Sequence, residues 1–189
     1  MGIKEEYRQT WKFMKESKIY FLVIVLLFFG TAIIGFLFPV FFVDTIMDLL
    51  RDIFSQIEGM SGVGLTLFII LNNIMTSLMG MVLGILLGII PIALTILNGY
   101  VLGFVSNMAV NESGFGALLN LVPHGIFELP ALFIALGVGL KIGLSLFYKN
   151  PGDTLKYNII NSFKVFVLIV IPLLVVAGVI EGLLIVFFS

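Results

Sequence analysis

The chain has 189 residues, of which 60% are hydrophobic and 11% are charged. Soluble domains carry roughly 45–50% apolar and ~25% charged residues, so this composition excludes a soluble enzyme, a nucleic-acid-binding protein and a disordered chain. Ten Lys and Arg against eleven Asp and Glu leave a net charge of −1, which attracts neither nucleic acid nor acidic partners. The mean hydropathy is +1.21. The composition therefore predicts an all-α, polytopic integral membrane protein whose surroundings are the lipid bilayer.

Residues 1–18 are predicted to form a basic amphipathic helix at the membrane interface. Ile3, Tyr7, Trp11 and Met14 recur at helical spacing, which indicates a helix with Trp11 at the level of the headgroups. Because cytoplasmic segments carry an excess of basic residues, we expect the N-terminus to be cytoplasmic. The basic residues that precede the first apolar run are Lys4, Arg8, Lys12, Lys15 and Lys18.

The first half of the chain is predicted to hold three spans and one amphipathic helix. Residues 19–43 are uncharged and long enough to cross a bilayer, whereas residues 44–60 alternate apolar and charged faces at helical spacing. Residues 62–110 are also uncharged, but a single helix of this length would be ~73 Å long. Two crossings with a break within residues 84–91 are therefore favoured. One crossing with re-entrant parts is the alternative, but it would place the later lysines outside.

The second half is predicted to add two spans, at 130–147 and 163–188, for a total of five. Residues 120–129 are expected to form a short helix or re-entrant piece that enters from outside, because Leu129 precedes Pro130 and is biased away from helix. Alternatively, the helix runs straight through and Pro130 kinks it. Five crossings place the C-terminus outside the cell. Residues 19–189 are then a single transmembrane domain.

Three ionisable residues in the predicted spans need an explanation, because charges inside a membrane are costly and often functional. His124 and Glu128 are four residues apart, so their side chains meet on a helical turn. Glu181 lies ~26 Å along a helix from Lys164, which places it in the outer leaflet with the other two. We therefore predict a buried His–Glu–Glu cluster in the outer half. It is either a structural network or a proton, ion or substrate site.

Polar amides and glycines form the remaining pattern inside the spans. Asn72, Asn73 and Asn98 are expected either to hydrogen bond between helices or to line a substrate cavity. Lys141 is expected to extend to the inner interface. Glycines at four-residue spacing let helices approach closely, and one such face could alternatively form a homo-oligomer. These packing glycines are Gly80, Gly84, Gly88, Gly99 and Gly103, with Gly139 and Gly143 in the fourth span.

No catalytic motif is present in the sequence. The chain has no cysteine, one histidine and no H-E-x-x-H, G-x-S-x-G, P-loop or dinucleotide motif. One histidine with two carboxylates could hold zinc, but its spacing matches no metalloprotease motif. We therefore expect no enzymatic activity, no cofactor and no metal.

The segment from Pro123 to Ala131, which reads Pro-His-Gly-Ile-Phe-Glu-Leu-Pro-Ala, resembles the most characteristic segment of the stage II sporulation protein M family. The likeness extends over most of the chain from the first span onward. Other residues that resemble the family's pattern, in the same order, are Asn72-Asn73, Gly84 with Gly88, Asn98-Gly99 with Gly103, and Glu181.

The resemblance implies a polytopic membrane protein with membrane or extracytoplasmic protein partners. The family's sporulation member sits in a complex with two extracytoplasmic partners that degrade peptidoglycan during engulfment, and it acts as their anchor. Relatives occur in bacteria and archaea that form no spores, so the resemblance does not imply sporulation for this chain.

The sequence leaves three candidate functions open. A membrane scaffold, which is the favoured interpretation, predicts a closed, glycine-packed core and partner contacts through the helix at 44–60. A transporter or channel that uses His124, Glu128 and Glu181 predicts a water-accessible cavity that joins this cluster to the amides. An intramembrane hydrolase is the weakest of the three, because it would need a metal.

Overall fold

Nearly all described residues of this chain are helical. The computed structural model describes the backbone of residues 2–120 and 122–188, and the side chains of residues 2–119 and 125–181. No β-strand occurs in these ranges. The described α-helices are α1 Ile3–Glu16, α2 Lys18–Leu37, α3 Val43–Ile57, α4 Gly62–Val82, α5 Ile89–Ser113, α6 Val122–Leu144, α7 Pro151–Val165 and α8 Ile171–Phe188.

Short irregular helical segments extend or join these helices. A 3₁₀ turn at Leu83–Ile85 extends α4, another at Phe115–Asn120 precedes α6, and a third at Ser145–Phe147 follows it. A π-helical turn at Phe166–Val170 joins α7 to α8, so the last helix is continuous over both.

Five of the described helical segments are long and apolar enough to cross a membrane, as the sequence predicts. This confirms an all-α protein with several membrane spans. The amphipathic helix α3 lies between the first two spans in the chain and is too polar to be one of them. The five candidate spans are Lys18–Leu37, Gly62–Ile85, Ile89–Ser113, Gly125–Phe147 and Pro151–Glu181.

The long apolar stretch is divided where the sequence predicts a break, within residues 84–91. Leu87 and Gly88 both have positive φ, at 57° and 74°, so the chain reverses there in a left-handed conformation. The helix α5 starts at Ile89, and Pro91 lies in its first turn, where its missing N–H leaves no helical hydrogen bond unmade. The break therefore yields two spans instead of one.

The prediction of a separate piece at 120–129 is wrong, because α6 runs without interruption from Val122 through Pro130 to Leu144. This is the alternative in which the helix passes through the proline. Neighbouring helices in a membrane protein satisfy the backbone groups that a proline frees, so the local bias of Leu129 is overridden. The last helix likewise begins at Pro151, twelve residues before the predicted start of the span.

Glycines bring the spanning helices into backbone contact. On α5, a Cβ at Gly99 or Gly103 would overlap backbone atoms of α2, including the carbonyl oxygens of Phe28 and Ala32. On α4, a Cβ at Gly80 would lie 2.5 Å from Leu136 Cδ2, and the extension residue Gly84 contacts the backbone of Gly139 on α6. The predicted glycine faces thus pack within the chain.

The basic helix α1 packs against α7 at the end of the bundle where α2 begins. Glu6 Oε2 lies 2.7 Å from Lys164 Nζ, and the Phe13 ring packs edge-to-face on Tyr157 with their centroids 5.8 Å apart. Glu16 accepts a 3.5 Å hydrogen bond from the Tyr157 hydroxyl. Three contacts of different chemistry therefore hold α1 on the bundle.

Candidate functional site: a cavity among the spans

A cavity of about 700 Å³ lies among the spanning helices. This is large enough for a small organic ligand. Helices α4, α5 and α6 supply most of its wall, and α2, α8 and the turn before α6 each add one residue. The lining residues are Phe28, Asn73, Thr76, Ser77, Asn98, Val101, Leu102, Val105, Ser106, Leu118, Gly125, Ile126, Glu128, Leu129, Leu132 and Leu174.

The polar side of the cavity is built from α4 and α6. Asn73 Nδ2 donates a hydrogen bond of 2.5 Å to Glu128 Oε1, across the two helices. Ser77 is one helical turn beyond Asn73, so both lie on the same face of α4, and Ser77 is buried. The Glu128 carboxylate therefore accepts at least one hydrogen bond from within the protein.

The opposite wall is one face of α5, whose lining residues recur at helical spacing from Asn98 to Ser106. This face is about 12 Å long at 1.5 Å per residue. Asn98 Nδ2 donates to the carbonyl of Leu94 on its own helix at 2.7 Å. The cavity thus extends from the middle of α5 toward the end of the bundle that carries the turn before α6.

The other end of the bundle is filled by close-packed apolar side chains. Ile24, Met81 and Leu136, from α2, α4 and α6, each have 0% exposure. The glycine contacts between Gly84 and Gly139 lie in the same half. The interior therefore combines a packed half near the α4–α5 turn with an open half near the turn before α6.

The cavity brings together three of the residues that the sequence singles out: Glu128, Asn73 and Asn98. Asn72 is exposed on another side of α4, because neighbouring helical residues are about 100° apart. Glu181 is half-buried on α8. The side chain of His124 lies outside the described residues, so the meeting of the histidine with the two glutamates stays a prediction.

Glu128 is the one acidic side chain among the described residues that line the cavity. No basic side chain is found among the described residues that line it. Apolar side chains make up most of the remaining wall, with hydroxyls of Thr76, Ser77 and Ser106 among them. Within the described side chains, no group of three His, Cys, Asp or Glu residues could hold a metal ion. The arrangement suits a ligand with one cationic or hydrogen-bond-donating group and an apolar body.

Sequence reasoning missed a second polar cluster, around Lys141. This side chain is 8% exposed, and its Nζ lies 3.0 Å from Ser17 Oγ and 3.8 Å from the centroid of the Phe13 ring. Lys141 therefore extends to the start of α2, where α1 covers it, and its extension to the inner interface stays a prediction. Asn158 Nδ2 donates to Ser145 Oγ at 2.7 Å nearby. Polar residues at four-residue spacing, Lys141 with Ser145 and Asn158 with Ser162, were the available signal.

We predict that the adjacent asparagines respond differently to replacement by leucine. Asn73→Leu removes the donor to Glu128 and leaves a half-buried carboxylate oxygen without that hydrogen bond, which costs about 1 kcal/mol. Asn72→Leu changes an exposed residue of a spanning helix to an apolar one and should keep or raise stability. Thermal unfolding in detergent measures both. Equal melting temperatures for the two variants would contradict the Asn73–Glu128 contact.

The comparisons with known proteins agree with the helical membrane architecture. No curated protein and no solved structure matched the chain. A family model described as Stage II sporulation protein M matches residues 23–184, which covers every candidate span at least in part and includes Asn73, Asn98, Glu128 and Glu181. The chain therefore belongs to the stage II sporulation protein M family.

Proposed function

We propose that this integral membrane protein binds a small solute in its cavity and moves it across the membrane. The observation that carries the proposal is the Glu128 carboxylate on the wall of a cavity of about 700 Å³ inside the spans. A closed scaffold needs no such space, whereas transporters place polar groups in a cavity near the middle of the membrane. The role is binding and not catalysis.

The lining suggests the class of solute. A carboxylate in apolar surroundings attracts a cation strongly, since few water dipoles compete for either charge. The amide of Asn98 and the hydroxyl of Ser106 can orient polar groups, and the leucines and valines of α5 and α6 accept a carbon skeleton. We propose a small organic cation, or a neutral amphiphile that donates a hydrogen bond to Glu128.

The close packing at one end of the bundle favours a cavity that opens to one side of the membrane at a time. We propose that the N-terminus is cytoplasmic, as the basic residues of α1 favour, so that the open half faces outward. Glu112, at the end of α5, then lies outside, and Lys149, in the α6–α7 connection, lies inside. Transport would need a second arrangement in which Met81 and its apolar neighbours separate.

The absence of cysteine makes the proposal directly testable. Single cysteines are introduced at Ser106 and Asn98 in the cavity and at Leu97, an exposed residue of the same helix. A membrane-impermeant methanethiosulfonate reagent is then added to sealed vesicles. We expect the two cavity positions to react roughly tenfold faster or more than Leu97→Cys, because only a hydrated thiol ionises.

Controls at the two ends of the bundle separate access from orientation. Glu112→Cys should react from the outer side of the vesicles and Lys149→Cys from the inner side. If Glu112→Cys reacts normally while Ser106→Cys and Asn98→Cys do not, the cavity is dry and the transport proposal is overturned. If Glu112→Cys and Lys149→Cys exchange sides, the proposed orientation is wrong.

The role of Glu128 is tested by the charge of the reagent. At Ser106→Cys, a cationic reagent should react faster than an anionic one, and Glu128→Gln should reduce this ratio about tenfold. Glu112→Gln removes a carboxylate outside the cavity and should leave the ratio unchanged. An unchanged ratio with Glu128→Gln would show that this carboxylate does not select the solute.

A membrane scaffold is the second candidate, and α3 favours it. This helix has Leu49, Ile53 and Phe54 exposed, and Ile46 buried. An amphipathic helix with an exposed apolar face either lies in the membrane interface or contacts another protein. A dry cavity in the labelling experiment would make the scaffold the better proposal.

A further inference from the structure

The four basic side chains of α1 lie on one exposed side of the helix. At 100° per residue, Lys4, Arg8, Lys12 and Lys15 fall within about 80° of the circumference. All four are exposed, and so is Lys18, the first residue of α2. Trp11 and Tyr7 lie beside this sector on the same exposed side, with 57% and 49% exposure. The sequence shows that these residues are basic and aromatic, but the structure shows that they form one surface, here called the basic face.

The opposite side of α1 is turned toward the bundle. Thr10, Phe13 and Ser17 are buried. Glu6 pairs with Lys164, whereas Glu16 accepts a hydrogen bond from the neutral Tyr157 hydroxyl and keeps its negative charge. Because these contacts lie on one side, α1 cannot roll about its axis without breaking them, and the basic face keeps its direction.

Neighbouring negative charges cancel only part of the positive charge of the basic face. Arg8 Nη2 lies 2.9 Å from Glu5 Oε1, and this hydrogen bond lowers the pKa of the Glu5 carboxyl, so that pair is ionised and neutral as a whole. The ammonium group of Lys15 lies 5.9 Å from the centroid of the Trp11 ring. Lys4, Lys12, Lys15 and Lys18 therefore contribute four positive charges beside one indole, against the one negative charge of Glu16.

The basic face lies at the membrane boundary, because Lys18 is the first residue of the first span. Amphipathic tryptophan rings settle at the level of the headgroups, and lysines next to a bilayer are attracted to anionic lipids. We infer that the basic face binds the phosphate groups of anionic lipids in the protein's own bilayer. This inference is independent of the cavity and of the proposed solute.

Trp11 reports on this surface directly, since it is the only tryptophan in the chain. The full-length protein is placed in nanodiscs that contain phosphatidylcholine and phosphatidylglycerol, with bromine carried by one lipid or the other. Quenching of Trp11 fluorescence then measures the association of phosphatidylglycerol near the indole relative to phosphatidylcholine. We expect the anionic lipid to be enriched several-fold, and 0.5 M salt to reduce the enrichment.

A pair of matched variants tests the charges. Lys4→Gln with Lys12→Gln should lower the relative association of phosphatidylglycerol several-fold, to a value near one. Lys149→Gln with Lys156→Gln removes two exposed charges elsewhere in the chain and should leave it unchanged. A relative association of one in the unmodified protein overturns the inference. So does an equal loss in both double variants, which would reflect net charge alone.

Discussion

Gly103→Ala is expected to destabilise the protein by about 3 kcal/mol or more. A Cβ at this position would overlap the carbonyl oxygen of Ala32 and lie 2.7 Å from the backbone nitrogen of Phe36. Both atoms belong to the backbone of α2, so no flexible side chain can move aside and the two helices must separate. Overpacking of a core costs about 1–3 kcal/mol when side chains can adjust, and here they cannot. Thermal unfolding in detergent, followed by circular dichroism, measures the loss.

Gly30→Ala is the matched control for that substitution. Gly30 lies on α2 and has nothing within 4 Å of the position of a Cβ. Because alanine favours helices more than glycine does, this variant should be as stable as the unmodified protein or slightly more stable. A Gly103→Ala protein that unfolds at the same temperature as Gly30→Ala would contradict the close contact between α2 and α5.

Lys141→Glu is the second substitution for which we expect a large loss, of about 3 kcal/mol or more. The carboxylate would be buried under α1 beside the face of the Phe13 ring, where the aromatic quadrupole is negative. A buried charge without a compensating partner is strongly destabilising. Lys149→Glu makes the same charge change at an exposed position and should have little effect. Unfolding temperature and the yield of monodisperse protein measure the difference.

Lys141→Met separates the charge of Lys141 from its packing. Methionine has a similar length, and Ser17 Oγ already donates a 2.7 Å hydrogen bond to the carbonyl of Phe13, so the hydroxyl keeps a partner. We expect a change of less than about 1.5 kcal/mol. If Lys141→Met were as unstable as Lys141→Glu, the positive charge itself would be required to hold α1 on the bundle.

The two sides of α5 explain how a close-packed helix can also border a cavity. Gly99 and Gly103 face α2 and allow backbone contact, whereas Asn98, Leu102 and Ser106 line the cavity. Asn107 Nδ2 adds a 2.8 Å hydrogen bond to the carbonyl of Phe36. The wall on this side is therefore packed closely against the backbone of α2.

The sequence by itself determined the class of protein, the number of spans and the break within residues 84–91. These features depend on local quantities: the length of uncharged runs, the periodicity of α3, and residues such as Gly88 that permit a reversal. The sequence of the segment around Glu128 also indicated the resemblance to the family. None of this requires knowledge of which helices are neighbours.

Only the tertiary structure decided which polar residues share an environment. Asn72 and Asn73 are adjacent residues of the same type, and the sequence does not distinguish their roles. The packing of α4 on α6 turns Asn73 toward Glu128 and leaves Asn72 exposed. The continuity of α6 through Pro130, the burial of Lys141 under α1 and the cavity itself depend in the same way on distant segments. Local propensity and hydropathy do not determine how each helix is rotated about its own axis. This rotation decides which side chains contact the neighbouring helices.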